Sequence, residues 1–417
     1  MARGNVYCSR AFARTPGLMG NNGGMNSSKF VILGGGMVAG YAAKEFVERG
    51  GKAGDLTIVS ADDALPYERP PLSKGFLQGK DKEDSVFISQ ADFYRDHGID
   101  VRLNQKVSGV DFASKRLQVA SGDDLGYESL VIATGARVRT LDLAGSNLEG
   151  VFYLRSLDDS RRIRDNATSG KRAVVIGGGF IAMETASSLT QRGLQVTMAV
   201  HEERIWKSFF TPEMSAAFRK YYESKGVRFA FRTGVASIQG NGRVKSVTLE
   251  TGLRIDCDLV CAGIGVTPVT DIFNGLTIDN GVHVNEFLET GVQGVYAAGD
   301  VANYQDVLFE KRRRVEHWDN AVSQGQHVMR TVLGDRKPFV HVPYFFSDVF
   351  DLSYEFWGDT TGAARTTYRG DLNSNSFSAW WLDDGGKLVA AFCMNRPDEE
   401  RESAPKWIEA KQAPQFS

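Results

Sequence analysis

The sequence predicts an α/β fold in which one strand-turn-helix unit occurs twice and is followed by an antiparallel α+β region. Three observations support this prediction: a glycine-rich turn near Gly34, a second such turn near Gly177, and a C-terminal segment with alternating aromatic residues. With 417 residues the chain is too long for one hydrophobic core. We therefore expect two or three domains.

The first unit spans residues 29–48. Apolar residues lead directly into Gly34, Gly35 and Gly36, and the apolar residues that follow have helical spacing. Glycine lets the backbone turn within reach of a pyrophosphate, and the helix that begins there directs unpaired N–H groups at that anion. Gly34, Gly36 and Ala39 fit the dinucleotide-binding pattern, although a single pattern of this kind also fits an ordinary loop.

The second unit spans residues 172–192 and repeats the pattern. Gly177, Gly179 and Ala182 occupy the matching positions between a strand and a helix. Two such units predict two Rossmann-like dinucleotide-binding domains. They also predict two nucleotides, a flavin and a nicotinamide, on opposite sides of a reaction centre where a hydride is transferred.

Polar residues follow the next predicted strand, at residues 55–60. Either Asp62 or Asp63 falls where a carboxylate accepts hydrogen bonds from an adenosine ribose. The segment PYERPPLSK then presents two cations, Arg69 and Lys74, on a turn that adjacent prolines hold extended. Taken alone, the segment also fits a rigid surface loop with solvated charges.

Short strands predict how the two units are connected. Residues 107–111, 116–120 and 130–133 indicate a small meander that returns to the first sheet and ends in an ATGA turn, and residues 243–249 and 254–262 indicate the matching strands of the second unit. The chain re-enters the first domain near Val295. One nucleotide domain is therefore predicted to be inserted in the other.

Two further segments carry candidate site residues. Asp300 follows a strand and Gly299, where an acid can bind a flavin ribityl chain or can cap a helix without any ligand. Glu316, His317 and Trp318 cluster at the start of a predicted helix, where a Glu-His pair can also be an ordinary surface pair. From residue 339 onward the aromatic alternation predicts a third, antiparallel domain that closes over the reaction centre.

The predicted domain boundaries follow from these segments. Residues 1–28 form an extension outside the fold, residues 29–150 and 285–335 an FAD-binding domain, residues 151–284 an NAD(P)-binding domain, and residues 336–417 a C-terminal α+β domain. The extension contains arginines and no acid, which fits an organelle-targeting segment, or a stretch upstream of a true start at Met25. A cytoplasmic location is the default expectation.

Composition excludes several classes of protein. The net charge of −2 argues against a nucleic-acid binder, and no segment is long and apolar enough to span a bilayer. Four irregularly spaced cysteines indicate a reducing compartment rather than a disulfide scaffold, and no metal site is predicted. Cys257 and Cys261 are expected to be core residues about 13 Å apart in one extended strand, too far for a disulfide.

The choice of coenzyme is predicted from residues 201–204. The Glu202 carboxylate would accept a hydrogen bond from a ribose 2′-hydroxyl and repel a 2′-phosphate. Arg204, in contrast, could attract a 2′-phosphate. The two acids in this stretch favour NADH.

The ordered motifs GGG, PYERPPLSK, ATGA, GGGFIAMETA, AAGD, VEHWDNA and PYFFSDVFDLSYEFWGD resemble the flavoprotein reductases related to ferredoxin reductase, monodehydroascorbate reductase and apoptosis-inducing factor. The resemblance covers residues 29–396. It implies FAD in the first domain, NAD(P)H in the second, and a C-terminal α+β domain as a cover.

The resemblance also implies roles for individual residues. Residues 34–39 would hold the FAD pyrophosphate, Asp62 the adenosine ribose, and residues 177–184 the nicotinamide dinucleotide. Trp318 would lie beside the isoalloxazine. The predicted catalytic residues are Lys74, Glu316 and Trp318. The predicted cofactor-binding residues are Gly34, Gly35, Gly36, Met37, Val38, Ala39, Asp62, Arg69, Lys74, Val107, Ala133, Arg155, Gly177, Gly178, Gly179, Phe180, Ile181, Glu184, Glu202, Gly265, Asp300, Glu316, His317 and Trp318.

The predicted function is an FAD-dependent NAD(P)H oxidoreductase that passes electrons to a ferredoxin, a Rieske protein or a quinone. Two alternatives are a monodehydroascorbate reductase and a redox sensor of the apoptosis-inducing-factor kind. Related disulfide reductases carry a dithiol after the first helix, and this chain has no cysteine there. In monodehydroascorbate reductases an arginine and a tyrosine bind the radical, and Val322 and Phe346 stand at those positions. The protein is expected to be a monomer or homodimer.

Overall fold

The computed structural model describes residues 26–120 and 122–416. Most of the predicted extension, and with it any targeting role, lies outside the described residues. The first strand begins at Ser27, two residues before the predicted start of the fold, because Ser27 and Ser28 already pair with Gly126 and Tyr127.

The first part of the chain forms a mainly parallel sheet with a meander. Its elements are β1 Ser27–Leu33, α1 Met37–Glu48, β2 Leu56–Val59, α2 Gly75–Gln78, α3 Ala91–Asp96, β3 Asp100–Arg102, β4 Val107–Asp111, β5 Arg116–Val119, β6 Leu125–Ile132 and β7 Ala136–Val138. The strand order is β3-β2-β1-β6-β5-β4. Strands β4 and β5 are antiparallel and return the chain to β6, which runs parallel to β1. The predicted meander is confirmed.

The second part repeats the parallel arrangement. Its elements are β8 Val151–Tyr153, α4 Leu157–Asn166, β9 Arg172–Ile176, α5 Phe180–Gln191, β10 Gln195–Val200, α6 Pro212–Ser224, β11 Arg228–Phe231, β12 Val235–Asn241, β13 Arg243–Leu249, β14 Arg254–Asp256, β15 Leu259–Ala262 and β16 Val266–Pro268. The parallel order is β11-β10-β9-β15-β8, strands β12 to β14 form an antiparallel sheet, and β16 pairs with β7 between the two units.

The predicted strand at residues 254–262 is wrong as one element. Strand β14 pairs antiparallel with β13, whereas β15 pairs parallel with β8 and β9. The chain changes sheets at Cys257 and Asp258, and the Asp258 carboxylate accepts the backbone N–H of Arg172 at 2.8 Å. Cys257 and Cys261 therefore do not lie on one continuous strand, although both are buried as predicted.

The chain then returns to the first unit. The elements here are β17 Val282–Val284, β18 Val295–Ala297, β19 Ala302–Asp306, β20 Lys311–Arg313 and α7 Trp318–Val332. Strand β18 pairs parallel with β6, which confirms the predicted re-entry near Val295. Strand β17 already pairs with β19, so contact with this part of the chain begins before residue 285. The domain boundaries themselves stay predictions.

The last part is an antiparallel sheet with one helix. Its elements are β21 Tyr344–Val349, β22 Leu352–Gly358, β23 Arg365–Asp371, a short 3₁₀ helix Leu372–Ser374, β24 Ser376–Leu382, β25 Leu388–Met394 and α8 Asp398–Glu409. Other short 3₁₀ helices, earlier in the chain, span Pro70–Ser73, Glu83–Val86 and Gly299–Val301. The strand order is β21-β22-β25-β24-β23. The predicted fold class, two Rossmann-like units and a C-terminal α+β region, is confirmed.

Aromatic rings join the second and third parts into one core. Phe218 on α6 lies 5.3 Å from Tyr354 on β22, and Trp206 lies 6.0 Å from the same ring. Such edge-to-face contacts contribute about 0.5–1.5 kcal/mol each beyond the area they bury. This packing fixes β21, the strand that reaches the cavity described below.

Within the described ranges, no helix combines the length and apolarity that crossing a bilayer requires.

Candidate functional site: a cavity between two glycine turns

A cavity of about 920 Å³ lies where the three parts of the chain meet. It is lined by residues at the carboxyl ends of β1, β2, β6 and β15 and by Phe345 and Phe346 of β21. Ligands of open α/β sheets bind outside the carboxyl ends of the strands, and ligand pockets span about 300–1,000 Å³. The position and size of this cavity are therefore those of a ligand site.

Both glycine turns need glycine for the same physical reason. Gly34 has φ +127°, and a Cβ there would lie 2.1 Å from the Ala133 carbonyl oxygen. Gly177 has φ +120°, and a Cβ there would lie 2.3 Å from the Gly263 carbonyl oxygen. A side chain is excluded by both the backbone angle and the neighbouring strand. The two turns are thus equivalent in geometry as well as in sequence.

The helices that follow the turns begin without side-chain caps. Gly36 precedes α1 and Gly179 precedes α5, and neither position has a side-chain hydrogen bond to the helix. The N–H groups of the first helical turn need an outside partner when no side chain provides one. Both glycines line the cavity, so both helix N-termini are available to an anion there.

Asp62 lies at the end of the cavity that Ser60 and Val107 also line. Its carboxylate accepts the Tyr67 hydroxyl at 2.9 Å and the Ala64 backbone N–H at 3.3 Å. A carboxylate has about four lone-pair sites, so Asp62 can still accept a further hydroxyl. The structure therefore holds Asp62 in place without using up its hydrogen-bonding capacity.

Arg69, Arg155 and Asp300 form a connected group on the cavity wall. Arg155 Nη2 donates to Asp300 Oδ2 at 2.7 Å, and the Arg69 guanidinium donates to the Arg155 carbonyl oxygen. The alternative reading of Asp300 as a helix cap is wrong, because no side chain caps the short helix that contains it. Burial, with the neighbouring Arg155 charge, lowers the pKa of Arg69 below its ordinary value. Arg155 Nε is buried without a hydrogen-bond partner among the described residues.

Lys74 and Glu184 join the three parts of the chain at the cavity. Lys74 Nζ lies 2.8 Å from Glu184 Oε1, and their side chains are 13% and 6% exposed. Glu184 also accepts the hydroxyls of Ser73 and Ser347. The alternative of a solvated surface loop at Lys74 is therefore wrong, because the ammonium faces the cavity and is held by a buried carboxylate from α5.

The cavity is lined by Glu316, His317 and Trp318. Among the described contacts, no hydrogen bond or ion pair joins these three side chains. Glu316 pairs with Arg314, so it forms no Glu-His pair. Burial lowers the pKa of the His317 imidazole to about 4, which keeps the ring neutral near pH 7. His317 Nδ1 is buried and has no hydrogen-bond partner in the described ranges. His317 itself lines the cavity, so this nitrogen lies beside the ligand site with its hydrogen-bonding capacity unused.

Most predicted site residues line this one cavity, and four do not. Ala39 is fully buried in α1, and Gly177 and Gly178 lie behind the second turn, where a Cβ on Gly178 would meet Val200 at 2.8 Å. Glu202 is exposed beyond the end of β10. The first three therefore shape the turns, and Glu202 lies outside the cavity.

The sequence analysis missed several residues that hold the cavity-lining side chains in place. Glu68 accepts the Trp318 indole N–H and the Tyr41 hydroxyl, each at 2.5 Å. Burial and the Glu68 carboxylate raise the pKa of Tyr41. Ser73 and Ser347 were missed for the same reason, since a buried contact between residues far apart in sequence leaves no local pattern.

These observations fit a dinucleotide in each unit. Two uncapped helix N-termini begin at one continuous cavity. Arg155 and His317 also line it, and each carries a buried nitrogen that has no partner among the described residues. Each is a polar group that needs a partner from a ligand. An FAD would meet the Gly34 turn, Asp62 and Arg155, and a nicotinamide dinucleotide would meet the Gly179 turn.

None of the three cysteines among the described residues lines this cavity. Cys257, Cys261 and Cys393 are free and buried. Burial raises the pKa of both Cys257 and Cys261 to about 12, so neither forms a thiolate near neutral pH. An exchange mechanism needs a thiolate.

A variant without cysteine should keep the reductase activity that the sequence predicts. The changes are Cys8→Ser, Cys257→Ala, Cys261→Ala and Cys393→Ala, and the readout is NADH oxidation with ferricyanide as acceptor. The parent chain assayed after thiol alkylation is the matched control. Complete loss of activity in a folded, FAD-loaded variant would contradict the absence of a thiol step.

Comparisons with known proteins agree with this architecture. A family model described as Pyridine nucleotide-disulphide oxidoreductase matches residues 28–325, and one described as Reductase C-terminal matches residues 344–416. The chain is 38% identical to peroxisomal monodehydroascorbate reductase 4 of Arabidopsis thaliana, over 92% of this chain and 83% of that protein. It is 37% identical to peroxisomal monodehydroascorbate reductase 2 of Oryza sativa subsp. japonica, over 91% and 85%.

Solved structures of ferredoxin reductases are similar along nearly the whole chain. The ferredoxin reductase for the CYP199A2 system from Rhodopseudomonas palustris superposes with a TM-score of 0.88 at 31% identity, covering 94% of this chain and 96% of that one. Putidaredoxin reductase, solved in a covalent complex with putidaredoxin, gives a TM-score of 0.88 at 29% identity, covering 93% and 94%.

Proposed function

Since the chain belongs to the family of pyridine nucleotide-disulphide oxidoreductases, we propose that it oxidises NADH and passes electrons through FAD to a small redox acceptor other than the ascorbyl radical. The family uses FAD and NAD(P)H, and the enzyme class predicted from the sequence is confirmed by the relatives. NADH as the preferred coenzyme and the nature of the acceptor are the finer parts of the proposal.

One observation carries the proposal: the Lys74–Glu184 pair faces a cavity that reaches both glycine turns. The chemistry that FAD supplies when bound is hydride uptake from NAD(P)H and electron release singly or as a pair. Lys74 provides a fixed cation where negative charge develops on reduction. Glu184, which also accepts the Ser347 hydroxyl, holds Lys74 in that position, and Phe345 and Phe346 of β21 line the cavity with apolar surface.

The wall of the cavity formed by α7 and β21 supports an acceptor that is not the ascorbyl radical. Trp318 and Phe346 meet edge to face there, with ring centres 5.8 Å apart. Val322 follows Trp318 by one helical turn and is half-buried against the core. Lys74 Nζ lies 5.4 Å from the Phe346 ring, but it is paired with Glu184. This wall therefore presents aromatic surface to an acceptor, without the arginine that a monodehydroascorbate reductase uses for its anionic substrate.

Monodehydroascorbate reductase activity is the second candidate, because the curated relatives at 38% and 37% identity carry that name. The ferredoxin reductase structures, including one bound to putidaredoxin, support a small redox protein as acceptor instead. Steady-state NADH oxidation separates the two candidates. The proposal expects faster turnover with ferricyanide or a ferredoxin than with ascorbyl radical made by ascorbate oxidase. Saturation by the radical at low micromolar concentration, at a higher rate, would overturn it.

The preference for NADH rests on Glu202 and on the contacts of Arg204. Glu202 is exposed beyond β10, and the Arg204 guanidinium already donates to the Phe210 carbonyl oxygen at 2.7 Å and to Ser215 Oγ at 3.1 Å. An arginine held in this way is a poor partner for a 2′-phosphate. The exposed Glu202 carboxylate can then accept a hydrogen bond from a ribose 2′-hydroxyl.

Glu202→Ala should raise kcat/KM for NADPH relative to NADH by about tenfold, since removal of about 1.4 kcal/mol of like-charge repulsion corresponds to that factor. The matched control is Glu203→Ala, because Glu203 lies beside it but pairs with Lys207 and Arg232. Steady-state kinetics with both coenzymes measure the ratio. A parent enzyme with a clearly higher kcat/KM for NADPH would reverse the assignment.

A further inference from the structure

A half-buried acid and a half-buried histidine meet close to Trp318. Asp319 lies in the first turn of α7 and lines the cavity, and His341 precedes β21. His341 Nε2 lies 2.5 Å from Asp319 Oδ2, and the two side chains are 20% and 21% exposed. Asp319 therefore stands between the cavity and His341.

The other side of the His341 ring is held by aromatic stacking. Phe339 stacks on His341 with ring centres 5.6 Å apart, and the His327 ring meets Phe339 edge to face at 5.2 Å. Among the described residues, His341 Nδ1 has no hydrogen-bond partner. The ring can therefore exchange a proton with water at Nδ1 while Nε2 stays bound to Asp319.

The same wall of the cavity suits a neutral, planar acceptor. Trp318 and Phe346 provide aromatic faces and edges, and the Glu68 carboxylate fixes the indole through its N–H. Each carboxylate near Trp318 already accepts a hydrogen bond, and Lys74 is paired with Glu184. A planar ring can stack there without a charge that the wall would have to balance.

We propose that Asp319 and His341 deliver a proton to a quinone bound against Trp318 and Phe346, so that the enzyme reduces quinones to quinols. The inference rests on the proposed NADH-dependent reductase activity. NADH supplies two electrons and one proton as a hydride, and water supplies the second proton through His341 and Asp319. The balance is NADH, one proton and the quinone giving NAD⁺ and the quinol, in which two carbonyl oxygens become hydroxyls. Asp319 contacts the acceptor. His341 acts through Asp319, because it passes Asp319 a new proton after each transfer.

Two acceptors separate proton delivery from electron transfer. A water-soluble benzoquinone needs two protons, whereas ferricyanide takes one electron and none. In the FAD-loaded protein, Asp319→Asn and His341→Ala should each lower kcat for the quinone by about 10²-fold, the usual contribution of a positioned proton donor, without lowering ferricyanide turnover. Added imidazole should restore quinone turnover in His341→Ala. The matched control is His327→Ala, which alters the same aromatic stack without touching Asp319.

A spectroscopic readout tests the pair without turnover. The imidazole nitrogen signals of histidine-labelled protein should show a protonated, hydrogen-bonded Nε2 on His341, and Asp319→Asn should shift that signal and leave His327 unchanged. An unprotonated Nε2 at neutral pH would overturn the proposal.

The kinetic outcomes are equally decisive. Equal losses with both acceptors, no loss with the quinone, or parent enzyme that turns over ferricyanide but no quinone would each overturn proton delivery and leave the proposed function intact. If none of the acceptors supports NADH oxidation by the parent enzyme, the proposed function itself is contradicted.

Discussion

Lys74→Met should slow the reduction of bound FAD by NADH by about 10²-fold, the typical effect of removing one fixed electrostatic stabiliser from an active site. The ammonium is the cation that faces the cavity from the PYERPPLSK segment, and Glu184 holds it at 2.8 Å. Methionine keeps much of the volume of lysine and removes the charge. Anaerobic stopped-flow measurement of flavin absorbance gives the rate directly, and the absorbance before mixing reports how much FAD is bound.

The variant also leaves the buried Glu184 carboxylate without its cation. Breaking a buried ion pair from one side costs about 3–5 kcal/mol of stability, so a slow variant could simply be a poorly folded one. Lys74→Met combined with Glu184→Gln removes both charges, and it should recover stability but not the rate. Glu184→Gln alone keeps the cation and should be the faster of the two single variants. Reduction by Lys74→Met at the parent rate would show that Lys74 has only a structural role.

Val322→Arg combined with Phe346→Tyr should raise kcat/KM for the ascorbyl radical by about one to two decades, since a charge-assisted hydrogen bond contributes about 1.5–3 kcal/mol. Val322 is half-buried on α7, one turn after Trp318, and Phe346 lines the cavity. The two changes therefore place a guanidinium and a hydroxyl near the same wall. The assay is NADH oxidation with radical generated by ascorbate oxidase.

The matched control for this pair is Val322→Gln with Phe346→Tyr, which adds an uncharged hydrogen-bonding side chain in place of the guanidinium. It should leave the activity with the radical close to that of the parent, and neither variant should change the rate of FAD reduction by NADH. A parent enzyme that already turns over the radical faster than ferricyanide would show that the two natural substitutions do not exclude this substrate.

The glycine turns and the parallel sheets could be predicted from the sequence because their causes are local. Gly34 and Gly177 stand where the backbone angle is positive and a neighbouring strand leaves no room for a Cβ, and each is followed by a helix with regular apolar spacing. The aromatic alternation after residue 339 likewise reflects β21, in which every second residue is buried. Such patterns depend on a few consecutive residues.

The remaining parts of the site depend on contacts between distant residues. Glu184 was predicted to contact a nucleotide, but its position is set by Lys74, Ser73 and Ser347, which come from the first and third parts of the chain. The pairing of Asp319 with His341 likewise spans two elements. The predicted strand at residues 254–262 failed because an apolar run gives no sign of where the chain changes from one sheet to another.

Anaerobic mixing of the purified, FAD-loaded protein with one equivalent of NADH tests the central claim most directly. The account predicts that the flavin absorbance bleaches fully, that NADPH bleaches it more slowly, and that ferricyanide restores it. A protein that binds no FAD, or whose flavin stays oxidised in the presence of NADH, would contradict the account.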